Sequence, residues 1–169
     1  SQTLLTAVQA AVEQNRLVTA ERVLLEQTLR GSIKTLVDIL SLTNPLAFGR
    51  ALRLKQQATE LIAALSLPMS WQIEVAAMLS QIGCVTLLPA TYEKLYYGRP
   101  LSNEENEMVQ HLPEVTVQLL ENIPRLEGVR AIVRAQASNF DGSGTAAGAP
   151  KGEAIPLGAR VLKIVGDYD

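Results

Sequence analysis

The chain has one histidine and one cysteine, and these two residues bound the chemistry it can do. His111 lies in Met108-Val109-Gln110-His111-Leu112-Pro113-Glu114. A lone imidazole does not make a metal site, which takes several ligands, so by itself it reads as a helix-end residue. It has no evident serine or cysteine partner, which excludes a catalytic triad in practice. Cys84 reads as a small buried apolar residue rather than a nucleophile, with Lys94 the one identifiable basic partner. Asp141-Gly142-Ser143-Gly144 is either a turn or a docking or ligand loop. Glu104, Glu105 and Glu107 form an acidic run that reads as a solvated helix face.

The elements that must position these residues are helical. Hydrophobic residues make up 47% of the chain and aromatics 4%, so a core of Leu, Ile, Val and Ala is expected, which suits helices. Residues 2 to about 43 lack proline and carry apolar residues at spacings of three and four, which predicts one long helix, or two with a bend near Gly31-Ser32. Asn44-Pro45 ends it. Further helices are predicted over about Leu46 to Leu65, Ser70 to Leu79, between Pro89 and Gly98, and from Ser102 to about His111. Others run from Pro113 to near Asn122, from Leu126 to Gln136, and from Pro156 onward. Ser102-Asn103-Glu104-Glu105 has the spacing of a capping box. Ser138 to Gly152 reads as an open loop, and no strand alternation occurs.

Charge and composition narrow the partners. A net charge of −2 gives no basic stripe for nucleic acid. The weakly polar stretch from Val75 to Leu88 is shorter than the ~20 residues that cross a bilayer. No signal peptide is recognisable. The single cysteine fits a reducing compartment. The expectation is a cytoplasmic fragment of a longer protein, without membrane or nucleic-acid contacts.

Several segments, taken in order, carry a resemblance. They are Arg50-Ala51-Leu52-Arg53, Leu79-Ser80-Gln81-Ile82-Gly83-Cys84, His111 after its Glu-Glu helix start, and Gln136-Ala137-Ser138. Asn139-Phe140-Asp141-Gly142-Ser143-Gly144 and Ile155-Pro156-Leu157-Gly158-Ala159-Arg160-Val161-Leu162 follow. Over roughly Ala47 to Asp169 the chain resembles the HD-GYP branch of the HD-domain metal phosphohydrolases. The resemblance implies an all-α helical bundle, with a long amino-terminal signalling helix over 1–43 and the domain itself, incomplete at its end, over 44–169. It also implies that most metal ligands are replaced. Arg50 stands at the first ligand position, Ser80 and Gln81 at the His-Asp pair, and Cys84 at the lysine that follows. Gln136-Ala137 stands at a His-His run, Thr145-Ala146 at a Tyr-Pro, and Gly166, beside Asp167, at the last aspartate. Lys94 and His111 match retained positions.

The physical consequence is an enzyme-like fold without the enzyme's cofactor. Imidazole and carboxylate together hold the metals that acidify a nucleophilic water. A guanidinium at a ligand position stays protonated and repels a cation. No metal, no cofactor and no catalytic residue are therefore expected. A vestigial pocket would contain Arg50, Lys94, His111, Asp141 and Arg160. Arg50 would either hold an anion, such as a cyclic dinucleotide or another phosphate compound, through its fork of donors, or be neutralised internally, with Glu74 or Glu114 as candidates. An active cyclic di-GMP phosphodiesterase with unusual ligands is the remaining alternative.

The amino-terminal helix carries a separate pattern. Leu4, Val8, Ala11, Asn15, Val18, Arg22, Leu25 and Leu29 are spaced 4, 3, 4, 3, 4, 3, 4. This is a heptad seam with Asn15 and Arg22 at a positions, and a buried Asn there favours a parallel pair. Leu5, Val12 and Leu24 offer a competing face by which the helix could pack on its own domain. A seam leading into a degenerate domain resembles bacterial response regulators, in which a receiver domain precedes the output domain. The partners this implies are a second copy, an upstream receiver domain and a further protein.

Overall fold

The computed structural model describes residues 2–68, 70–143 and 149–169. Eight α-helices are assigned among them: α1 (Gln2–Thr43), α2 (Pro45–Ala64), α3 (Trp71–Leu79), α4 (Pro89–Tyr96), α5 (Asn103–Gln110), α6 (Leu112–Leu120), α7 (Glu127–Ala135) and α8 (Leu157–Tyr168). No strand occurs among the described residues. The chain is all-α, as its composition and periodicity require.

α1 is one helix, unbroken at Gly31. Its two ends lie in different environments. Residues 2–28 are exposed throughout, whereas Leu29, Ile33, Leu36 and Val37 pack against the core and Leu40 is 1% exposed. Asn44 makes the sharp connection to α2. Its side chain accepts the Ala47 N–H at 3.1 Å, and Pro45 occupies the first helical turn, where a missing N–H costs nothing.

The main core is built from small and branched side chains: Leu54, Ala58 and Ile62 of α2, Ile73, Ala76 and Ala77 of α3, Val129 and Val133 of α7, and Ala159 and Leu162 of α8. A second cluster joins Leu40, Ala47 and Ala51 to Ile82, Cys84, Leu87 and Tyr92. Between α3 and α4 the chain makes a 3-10 turn, Ile82–Thr86, which periodicity did not reveal because it is too short to show a period. Here Gly83 presses against α6. Its N–H donates to Thr116 Oγ1 at 3.1 Å, and a Cβ at this position would lie 2.7 Å from the Leu112 carbonyl oxygen. Only glycine lets the turn approach so closely.

The capping box forms as its spacing predicts. Ser102 Oγ accepts the Glu105 N–H at 3.1 Å, and Glu105 Oε2 accepts the Ser102 N–H at 2.8 Å. Pro156 is the N-cap of α8 rather than part of its first turn. The segment read as an open loop, Ser138 to Gly152, runs at its end into a short 3-10 turn, Gly152–Ala154.

Candidate functional site

A cleft of about 260 Å³ lies between α2, the ends of α3 and α7, the start of α6, and α8. Arg50, Gln81, Gln136, Ala137 and Gly166 line it, together with Pro113, Lys163 and Asp167. Five positions that the sequence matched separately to metal ligands thus converge on one cavity, from segments up to 116 residues apart in the chain. Ser80, another of the replaced positions, is buried beside it; its hydroxyl donates to the Ala77 carbonyl and accepts from Gln81 Nε2.

The cleft's charges are paired internally. Arg50 extends across it to α8, where Nη2 donates to the Gly166 carbonyl at 3.3 Å and Nε lies 3.3 Å from Asp169 Oδ2. Asp169 is turned inward, its side chain 5% exposed, and it also accepts two bonds from Arg53, at 2.7 and 2.9 Å. This bidentate geometry is the strong form of a guanidinium–carboxylate pair. The Arg53 bonds hold the Asp169 carboxyl below its ordinary value against the opposing effect of burial, with Arg50 adding to the depression. The same bonds hold Arg53 protonated well beyond its usual range. The Arg53 guanidinium also lies 5.8 Å from the centre of the Tyr96 ring. On the other wall, Lys163 donates to both oxygens of Asp167 at 2.8 and 2.6 Å.

Arg50 therefore has an internal partner, but neither of the two carboxylates expected from sequence. Glu74 pairs with Lys55 at 2.6 Å, and Glu114 does not line the cleft. The partner is Asp169. Nothing in the sequence pattern announces a pair so distant, whereas Lys163 and Asp167 have the four-residue helical spacing that does.

The other expected pocket residues lie elsewhere. His111 joins α5 to α6 and is exposed; its Nδ1 lies 2.7 Å from the Glu107 carbonyl, which assigns the proton to that nitrogen. It borders a separate surface hollow with Thr86 and Met108, while Pro113, two residues on, is the part of this segment that reaches the cleft. Lys94 is occupied in a different cluster, donating to Glu105 at 2.8 and 3.0 Å beside Thr91. Those bonds, with the Ser102 N–H, hold the Glu105 carboxyl at about 2. Arg160 pairs with Glu153 at 2.9 Å; six helical positions from Gly166, it is turned ~120° from that cleft-lining residue around α8. Asp141 closes a turn, accepting the Ser143 N–H at 2.9 Å, while Asn139 Nδ2 donates to the Ser143 carbonyl. Gly144, Thr145 and Ala146 fall outside the described residues.

Cys84 is 4% exposed, and burial pushes its thiol up to about 12 despite the nearby Arg50 cation. It is an inert packing residue at neutral pH.

A family model described as an HD domain matches residues 34–169. The chain belongs to the HD-domain family. No curated protein and no solved structure matches it. The cleft gathers the positions that the resemblance to metal phosphohydrolases matches to metal ligands, so the donor set is the test of fit. Among the described residues no group of three His, Cys, Asp or Glu side chains converges. The cleft's walls instead offer a guanidinium, an ammonium, two amides and a carboxylate already bound to Lys163. Those groups do not fit a divalent cation: the positive ones oppose it, and the amides are weak neutral donors. No catalytic step through a metal is derived for this HD domain.

Proposed function

We propose that this HD domain is a non-catalytic output or scaffold module of a bacterial signalling protein, a degenerate relative of the HD-GYP phosphodiesterases that follows a receiver domain. It acts through protein–protein contacts. The observation that carries this reading is the Arg50–Asp169 pair. A permanent cation sits at a position where hydrolytic relatives place a ligand, and a carboxylate folds in to neutralise it. The reading that the cleft holds a phosphate compound is weakened by the same pair, because an anion would compete with Asp169 for Arg50.

Elemental analysis of protein purified without chelator, run beside a cyclic di-GMP hydrolysis assay, tests the proposal. The expected result is substoichiometric Fe, Mn and Zn and no turnover. One or more metal ions per chain accompanied by turnover would overturn it.

A further inference from the structure

The exposed part of α1 is a solvated rod. At ~1.5 Å per residue its 27 residues extend about 40 Å. Its apolar side chains are bare: Leu4 is 72% exposed, Val8 52%, Val18 59% and Leu25 38%. An isolated helix gains most of its stability by burying its apolar stripe, and a contiguous stripe of this kind marks an interaction surface.

The stripe has a definite direction. Leu29, the last seam residue, is also the first residue of α1 to pack against the domain core. The seam therefore leads straight into the junction between α1 and the domain. A cleft of about 410 Å³ opens there, floored by Leu29, Ile33, Val75 and Trp71 and rimmed by Arg30 and Arg125. Trp71, the chain's one tryptophan, is 47% exposed in it.

We infer that both surfaces are covered by a second copy of this chain, the two α1 arms lying parallel and in register, with the interface continuing from Leu25 into the Trp71 cleft. The polar residues of the seam select this occupant. In a parallel pair Asn15 faces its own counterpart and both amides find partners. Arg22, also at an a position, then faces its own counterpart, and Glu21 of the second copy, at the flanking g position, supplies the carboxylate beside each guanidinium. Antiparallel pairing would instead set Asn15 and Arg22 against the apolar d residues Val18 and Ala11. This inference concerns the arm and holds whether or not the cleft between α2 and α8 is catalytically silent.

Trp71 makes the test direct. Sedimentation velocity should show dimers at tens of micromolar, and the emission of Trp71 should shift to the red on dilution with the same midpoint as dissociation. Val18→Asp/Leu25→Asp should give monomers with red-shifted emission at every concentration. Its domain should still unfold in one cooperative thermal transition, since both positions lie in the exposed arm. Val8→Cys should cross-link to itself under mild oxidation, the buried Cys84 remaining unreacted. A wild-type monomer, a dimer unaffected by the double substitution, or Trp71 emission that ignores dissociation would overturn the interface. Failure of Val8→Cys to cross-link within a confirmed dimer would overturn the parallel register.

Discussion

Two polar clusters hold this domain together, and they differ in the length of chain they close. One is the clamp at the start of α5, where Lys94, Thr91 and the Ser102 N–H converge on Glu105. Its partners lie within fourteen residues of each other. The other is the clasp in which Arg50 and Arg53 of α2 grip Asp169 beyond α8, with Arg53 and Asp169 116 residues apart. The clamp stabilises a local turn of helix. The clasp fixes the two walls of the cleft to each other. Hydrogen-bonding chemistry is nearly the same in both; what differs is how much tertiary structure each one reports on.

Removing Asp169 should therefore have the larger effect. Asp169→Ala leaves two guanidinium groups facing each other, and a broken buried pair costs ~3–5 kcal/mol. Arg50 and Arg53 are 30% and 42% exposed, so solvent screening reduces the expected loss to about 1–3 kcal/mol. Denaturant unfolding at pH 7 measures it. The pH dependence supplies an independent reading. A carboxylate whose folded pKa lies below its unfolded value adds stability that is complete above the unfolded pKa, ~3.9 for Asp, and is lost as pH falls through the folded pKa. Asp169→Asn should accordingly flatten the decline of stability below about pH 4. An unchanged acid limb would mean that the clasp is not formed in solution.

Ser102→Ala comes next. It removes the N-cap acceptor of α5 and should cost about 1 kcal/mol. The loss should be confined to this helix: amide exchange should quicken over Asn103–Gln110 and leave α8 untouched. Acceleration in α8 as well would erase the distinction between local and long-range clusters.

The smallest effect is expected at Gly166. A Cβ there meets no atom within 4 Å, so packing does not demand the glycine. Gly166→Asp should change the stability of α8 by no more than a few tenths of a kcal/mol, because the propensity gain of Asp over Gly, ~0.3 kcal/mol, is opposed by a carboxylate in the helix's last turn. The new carboxylate should be taken up by Arg50 without creating metal affinity. Stoichiometric metal binding by this variant would show that the cleft is one residue from a working site.

The same contrast explains what was legible in the sequence. The capping box at Ser102, the stop at Asn44-Pro45 and the long unbroken α1 follow from local backbone chemistry, and each was readable. The convergence of Arg50, Gln81, Gln136 and Gly166 was readable only through family resemblance. Asp169 was not readable at all, because an ion pair that spans the fold leaves no periodic trace. His111 was legible as a helix-end residue, but its direction relative to the cleft was not. Between two helices a shift of a single residue turns a side chain to another face, and spacing along the chain does not resolve that. The turn at Gly83, dictated by an approach to Thr116 that involves both elements at once, escaped a reading made one segment at a time.

α1 has a mechanical consequence. It begins in solvent, runs without a break past Gly31, ends at Leu40 in the core, and turns at Asn44 into α2. Such a rod behaves as a drive shaft. Torque or axial thrust applied to its outer end would pass through no loop before it reaches the segment from Leu29 to Leu40 that packs in the core. Arg50 follows Asn44 by a little under two helical turns, on the wall of the cleft. A helix unbroken over forty-two residues would thus deliver such a load to the domain core rather than to a flexible linker.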